Sequence, residues 1–214
     1  MMVRMIDHLV YASNNLPGAS AAVTHLLGVA PTPGGRHIGH GTYNELLALG
    51  GATYLEVIRP DPEQPEPDGP RPFGIDSLSR PALVAWCVRP TRPLTGIIDE
   101  ARAAGVELGE VTSMSRRRPD GAVLEWKLTF PQLTGRFGMA LPFMIDWATS
   151  SHPTDTLLSA VQLLELEVVH PDSRALQAAL ELIGIAPEVT IHEGVQPALR
   201  ARIATGAGDI TLTS

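Results

Sequence analysis

The chain has 214 residues, of which 44% are hydrophobic and 18% are charged, which is typical of a folded globular protein and excludes a disordered one. A formal net charge of −7 argues against a nucleic-acid or anionic-membrane surface and favours small molecules as partners. The first apolar run is too short for a signal sequence, and no stretch reaches the ~20 apolar residues of a membrane span. We therefore expect a cytoplasmic protein. Cys87 is the only cysteine, so no internal disulfide is expected.

The N-terminal part of the chain is predicted to form a β-α-β-β-β unit. An alternating strand at 6–12 leads into a helix whose start signals are at 14–17 and which ends at Gly28. Two further strands follow at 45–49 and 53–58.

Two ionisable residues interrupt the apolar strand patterns of this unit. Alternation places His8 on the same face as Ile6 and Val10, and it places Glu56 among apolar neighbours in the same way. An unpaired carboxylate in such a place costs several kcal/mol, so a partner is expected. A metal ion or a catalytic pair would supply it. The alternative is that the two side chains only bond to each other or to backbone within a satisfied core.

Between the predicted helix and strands lies a glycine-rich segment at 34–44. It carries His37, His40 and Asn44 among glycines that permit close approach of backbone to a ligand. We expect a pocket rim in which His37 or Asn44 orients a substrate oxygen. A solvated loop is the alternative.

The unit is then repeated twice. Similar strand and helix patterns recur, with helix-ending glycines at Gly105 and Gly184, and this regularity is a repeat signal. Prolines and acidic residues separate the first two copies. The predicted organisation is a first βαβββ module at 1–60, a Pro-rich linker at 61–80, a second module at 81–149 and a third, similar module at 160–214.

Three other strand residues are candidates for substrate binding. Arg117 lies near a predicted turn, and alternation sends it to the face opposite its neighbours, where a guanidinium would clamp a carboxylate or phosphate. Solvated charge at a turn is the alternative. Trp86 and Trp126 are candidates to line an apolar cavity, although large aromatic residues in strands are often ordinary core.

A βαβββ repeat with an inward His on its first strand and an inward Glu on its last resembles the vicinal oxygen chelate superfamily. This group includes glyoxalase I, extradiol dioxygenases and fosfomycin-resistance enzymes. The segments 6–11, 34–44, 53–56 and 115–121 are similar to the glyoxalase-like domain family. The resemblance covers nearly the whole chain and implies an α+β fold in which βαβββ modules form curved mixed sheets.

The resemblance also implies a divalent metal held between two paired modules. His8 and Glu56 match the ligand positions of the first module. Asp146 would join them if the first and second modules pair, and Glu165 if the first and third pair. Trp86 stands where the second module's first ligand is expected. One imidazole and two carboxylates favour Mg, Mn, Fe(II) or Ni-like ions over zinc.

The function implied by the resemblance is a metal-dependent lyase, isomerase or related enzyme acting on a small molecule with vicinal oxygens. In such a site the metal polarises a substrate oxygen, and Glu56 transfers a proton. A non-catalytic protein that binds an antibiotic-type small molecule in the same cleft is the alternative. A third hypothesis is a purely structural role in a homo-oligomer such as a homodimer, because an odd number of modules leaves one whose sheet edge pairs with another chain or caps the first two.

Overall fold

The computed structural model describes residues 5–14, 18–130 and 133–214. Most of the predicted start signals of the first helix, residues 15–17, lie outside the described residues. The elements in chain order are β1 (Ile6–Ala12), α1 (Gly18–Leu27), β2 (Thr32–His37), β3 (Thr42–Ala48), β4 (Tyr54–Pro60), β5 (Ala82–Val88), α2 (Leu94–Ala103), β6 (Val111–Arg117), β7 (Val123–Thr129), β8 (Phe143–Asp146), β9 (Gln162–His170), α3 (Ser173–Leu182), β10 (Thr190–Glu193), β11 (Ala198–Thr205) and β12 (Gly208–Thr213).

Strands β1 to β8 form one closed sheet in the order β1-β4-β3-β2-β6-β7-β8-β5. Two antiparallel seams, β1 with β5 and β2 with β6, join the first four strands to the second four. The last four strands form a separate sheet in the order β10-β9-β11-β12. The expected α+β fold with curved mixed sheets is therefore confirmed, and the strands of the first two predicted modules are the ones that share the closed sheet.

The three helices end close to the predicted glycines. Helix α1 is followed directly by Gly28, and α2 and α3 end two residues before Gly105 and Gly184. No helix among the described residues is both long and apolar enough to cross a membrane.

The apolar core lies on both sides of the closed sheet. Outward-facing residues such as Leu9 and Trp86 pack with the helices and with the sheet of strands β9 to β12, which we call the third-repeat sheet. Together they form one continuous cluster. Inward-facing residues, among them Val10, Met114 and Phe143, form a second cluster inside the closed sheet. Each fully buried side chain of this size contributes roughly 1.5–3 kcal/mol of burial free energy. The inner cluster surrounds the polar residues described below.

The glycine-rich segment at 34–44 is mostly strand, which corrects the alternative of a loop: residues 34–37 end β2, residues 38–41 form a turn, and residues 42–44 begin β3. Gly35 has a φ of 145°, and a Cβ atom on it would lie 2.0 Å from the carbonyl oxygen of Arg117 on β6. A side chain at this position would therefore prevent β2 from pairing with β6. The glycines allow two strands to approach each other, which closes the sheet.

Candidate active site inside the closed sheet

Five polar side chains meet inside the closed sheet, and we call them the polar cluster. They are His8 on β1, His37 on β2, Asn44 on β3, Glu56 on β4 and Arg116 on β6, and each is buried. All five line a cavity of about 30 Å³. The first repeat thus contributes four of the five, one from each of its strands.

Glu56 lies at the centre of the polar cluster. Its Oε1 atom accepts a hydrogen bond of 2.6 Å from the Asn44 amide and lies 3.5 Å from Nε2 of His37. Its Oε2 atom lies 3.7 Å from Nε2 of His8. An amide and two imidazoles therefore surround a carboxylate that is only 6% exposed.

Asp7 holds the His8 ring on the side away from Glu56. The Nδ1 atom of His8 lies 2.7 Å from Oδ1 of Asp7, a distance that requires the proton on Nδ1 when the carboxylate is ionised. The His8 ring also stacks on Tyr54, with 4.6 Å between ring centroids. These contacts direct Nε2 towards Glu56. Such a carboxylate behind an imidazole is common where the far nitrogen binds a metal or moves a proton.

Asp7 itself is fully buried and accepts from two further donors. The indole of Trp147 and the imidazole of His152 each approach its Oδ2 atom at 3.1 Å. Burial alone would raise the pKa of Asp7, but the hydrogen bonds from His152 and His8 outweigh it and hold the pKa well below its usual range. Asp7 is therefore ionised at neutral pH.

His37 has a strongly altered proton affinity. Burial lowers its pKa to about 4, although the Glu56 carboxylate acts in the opposite direction. Its Nδ1 atom lies 2.9 Å from Oγ1 of Thr42, which fixes the ring. His37 is thus a neutral imidazole near pH 7, and its Nε2 atom lies 3.4 Å from the amide nitrogen of Asn44.

Arg116 and Trp126 bring donors without partners into the same cavity. Arg116 donates from Nη1 to Oδ1 of Asn44 at 3.2 Å, while its Nε atom is buried without a hydrogen-bond partner among the described residues. The same holds for Nε1 of Trp126. Burial lowers the pKa of the Arg116 guanidinium, which nevertheless stays charged.

Aromatic rings separate the cavity from a larger groove of about 420 Å³. Phe73, Phe130 and Phe143 belong to the walls of both. Phe73 packs against the other two rings with centroid distances of 5.6 and 5.4 Å. Its φ of 61° lies in the left-handed region, which costs a residue with a side chain about 1–2 kcal/mol.

The structure places four predicted site residues elsewhere. The Asp146 side chain is exposed and caps the amide of Ala148, and Glu165 lies in the other sheet beside Arg202. Neither lies at the cavity, so neither completes a ligand set with His8 and Glu56.

Trp86 and Arg117 also require correction. Trp86 faces outward into the core, where its indole donates to the carbonyl of Ala140. Arg117 is exposed, and its neighbour Arg116 is the arginine that points inward. By contrast, His37, Asn44 and Trp126 line the cavity as predicted.

Two groups of side chains could hold a divalent ion. Nε2 of His8 and Oε2 of Glu56 are close enough to share an ion that binds each at about 2.0–2.2 Å, and the Nε2 atom of His37 lies on the other side of Glu56. Asp7, His8 and Cys87 form a second buried group. Burial raises the pKa of the Cys87 thiol well above its usual value. Among the described residues, Asp7, His8 and Cys87 are the group of three whose ligand atoms all lie within 4.8 Å of one another, whereas His8 and His37 approach different oxygens of Glu56.

The comparisons with known proteins agree with this fold. The sequence profile described as "Glyoxalase-like domain" matches residues 6–184. The chain belongs to the glyoxalase-like domain family. No protein with a curated description matches the sequence.

Solved structures resemble this glyoxalase-like chain at low sequence identity. A hypothetical protein from Staphylococcus aureus is 14% identical, with a TM-score of 0.60 over 97% of this chain and 84% of that one. A methylmalonyl-CoA epimerase in complex with methylmalonyl-CoA and NH4+ is 18% identical, with a TM-score of 0.47 over 71% of this chain and 100% of that one. The first likeness shows a shared fold.

Proposed function

We propose that this chain is a metal-dependent lyase, isomerase or related enzyme that acts on a small molecule with adjacent oxygen atoms. The observation that carries the proposal is Glu56, a buried carboxylate whose two oxygens are approached by His8 and His37 inside a closed sheet. A buried carboxylate at a cavity wall is placed to take a proton from carbon or oxygen and to return it.

The chain's own residues would control that proton transfer. Asn44 donates to Oε1 of Glu56, which fixes the plane of the carboxylate beside the cavity. The aromatic walls exclude water and so strengthen each polar contact within the cavity. Asp7 holds the His8 ring so that Nε2 faces the same space.

His8, His37 and Glu56 would hold a divalent ion, a set that replaces both alternatives expected from the sequence, His8 and Glu56 with either Asp146 or Glu165. Two imidazoles and one carboxylate form a donor set typical of Fe(II) and other transition metals. When bound, such an ion would polarise a substrate carbonyl or hydroxyl oxygen and so make the neighbouring proton more acidic.

Calorimetric titration of the metal-free protein with Mn²⁺, Fe²⁺, Ni²⁺ and Zn²⁺ tests the ligand set. We expect one ion per chain and a loss of about 10-fold to 100-fold or more in affinity for His8→Ala and Glu56→Ala. His192→Ala, in the other sheet, is the matched control and should bind as the wild type does. If the wild type binds none of these ions, the metal-dependent proposal is wrong.

Proton transfer is tested separately by exchange in D₂O. Small 2-oxo acids, 2-hydroxy acids and thioesters would be incubated with the metal-loaded protein, and loss of the α-proton signal would be followed by NMR. We expect exchange with at least one class, and a rate lower by about 10²–10⁴-fold for Glu56→Gln. An unchanged rate in that variant would remove the catalytic role of Glu56.

A second candidate function is the non-catalytic binding of an apolar small molecule. It is favoured by the aromatic walls and by the neighbouring groove of about 420 Å³. This function predicts that affinity for the ligand survives removal of metal by a chelator, whereas the enzyme proposal predicts that it falls.

A further inference from the structure

The buried guanidinium of Arg116 has no carboxylate partner. The residue is 4% exposed, and among the described residues no Asp or Glu lies within ion-pair distance of it. Its one hydrogen bond goes to the neutral amide of Asn44. Glu56 attracts it only from farther away. An unpaired buried charge is costly, by several kcal/mol, so this arrangement indicates a missing anion.

A second donor points to the same missing group. The indole nitrogen of Trp126 on β7 is also buried without a partner. Its strand pairs with β6, where Arg116 lies, and both residues line the cavity. Buried donors in proteins nearly always have an acceptor. Two unpaired donors in one cavity are therefore best explained by an acceptor that belongs to a ligand.

The size and surroundings of the cavity define the shape of that ligand. A volume of about 30 Å³ has room for roughly two water molecules, which suits a planar carboxylate and is small for a whole substrate. The neighbouring groove is larger and mostly apolar, with Leu133, Met139 and Leu141 among its walls. A ligand that uses both spaces has an anionic head and an apolar body.

We propose that Arg116 and Trp126 bind the carboxylate of a substrate whose apolar body lies in the neighbouring groove. The guanidinium Nε–H and the indole N–H each donate to a carboxylate oxygen, and the carbon next to the carboxylate lies on the side of Glu56. This inference deepens the proposed function and rests on it, because it assigns a substrate class to the same cavity: carboxylic acids with an apolar tail.

Phenylacetate and its neutral analogue phenylacetamide are matched probes for this site. Calorimetric titration should show that phenylacetate binds about 10-fold or more tightly than phenylacetamide, because only the acid is an anion. The indole N–H resonance of Trp126 should move downfield on binding of the acid. Acetate, which lacks the apolar body, should bind more weakly than phenylacetate.

Three variants locate the binding site. Arg116→Gln should weaken phenylacetate binding by about 10-fold or more, and Trp126→Phe should weaken it by a smaller factor. Arg117→Gln is the matched control, because that exposed side chain is one residue away on the same strand, and affinity should be unchanged. If Arg116→Gln does not fold, the acid–amide difference and the Trp126 resonance of the wild type still decide the question.

Equal affinity for acid and amide, or an affinity that Arg116→Gln leaves intact, would overturn the inference. Its failure is distinguishable from failure of the proposed function. Carboxylate binding in Glu56→Gln should be at least as tight as in the wild type, because a nearby negative charge has been removed. A protein that binds phenylacetate through Arg116 but neither binds metal nor exchanges protons would retain this inference and lose the proposed enzyme activity.

Discussion

The closed sheet and the third-repeat sheet hold their charged side chains in different surroundings. In the closed sheet, Asp7, His8 and Glu56 are buried, and Asp7 contacts His8 and lies 3.7 Å from the Arg89 guanidinium. In the other sheet, Glu165 and Arg202 form an ion pair on a face that is partly open to solvent. The first repeat has a second module that closes over its inner face, whereas the third repeat buries only one face of its sheet. Pairing between modules therefore decides whether an ionisable strand residue becomes part of a site.

The largest expected effect on stability comes from removing a buried charge. Asp7→Asn should lower the free energy of unfolding by about 3 kcal/mol, because it breaks the buried contacts of the carboxylate with His8 and His152. Urea unfolding at pH 7 measures the change. Glu165→Gln is the matched control in the other sheet and should leave the urea midpoint unchanged. Equal sensitivity at the two positions would contradict the comparison.

The next test measures how the free energy of unfolding depends on pH. Because burial lowers the pKa of His37 to about 4 from an ordinary 6.5, the unfolded chain binds more protons between these values. The contribution of the buried, neutral His37 ring to the free energy of unfolding is fully present above pH 6.5 and is lost as pH falls towards 4. We expect the free energy of unfolding to fall by about 2 kcal/mol between pH 7 and pH 5.

Two histidine variants assign that loss. His37→Gln should remove this part of the pH dependence, and His192→Gln, which replaces an exposed histidine of the other sheet, should retain it. An NMR titration of the His37 ring gives the pKa directly. A ring that titrates near 6.5 would show that burial does not exclude its charged form.

The smallest expected effect lies at the surface. Arg202 pairs with Glu165 at 3.2 Å and with Asp209 at 3.0 Å, and all three side chains are partly exposed. Because solvent screens such pairs, Arg202→Gln should not measurably shift the melting temperature, with or without 1 M NaCl. Calorimetric melting checks this, and a clear drop would show that the charge row supports the third-repeat sheet.

Strand alternation was sufficient to predict the centre of the site. His8 and Glu56 are ionisable residues within strongly apolar strands, so their faces are fixed by their neighbours. The faces of Arg116 and Arg117 are not fixed in this way, because the residues around them are polar. A shift of one residue exchanges the two faces, and the sequence therefore predicts Arg117 at the cavity, whereas the structure places Arg116 there.

Other parts of the site depend on contacts between distant parts of the chain. Asp7 meets His152 from a segment that follows the second repeat, and no local pattern connects the two residues. Asp146 and Glu165 were predicted as ligands by their place in the repeat, yet each faces away from the cavity. Trp86 packs in the core outside the closed sheet, because the third-repeat sheet and the helices lie on that side. The fold was predictable from local patterns, whereas these positions required the packing.

The two seams of the closed sheet differ in length, and the shorter one passes through the site. Six residue pairs join β1 to β5, but only two join β2 to β6, and one of these two is His37 with Arg116. A transient breathing motion at the shorter seam would separate the proposed proton-transfer and anion-binding halves of the cavity. In hydrogen exchange, the amide of His37 should therefore exchange earlier than that of Leu9, and a bound carboxylate that bridges the gap should slow it.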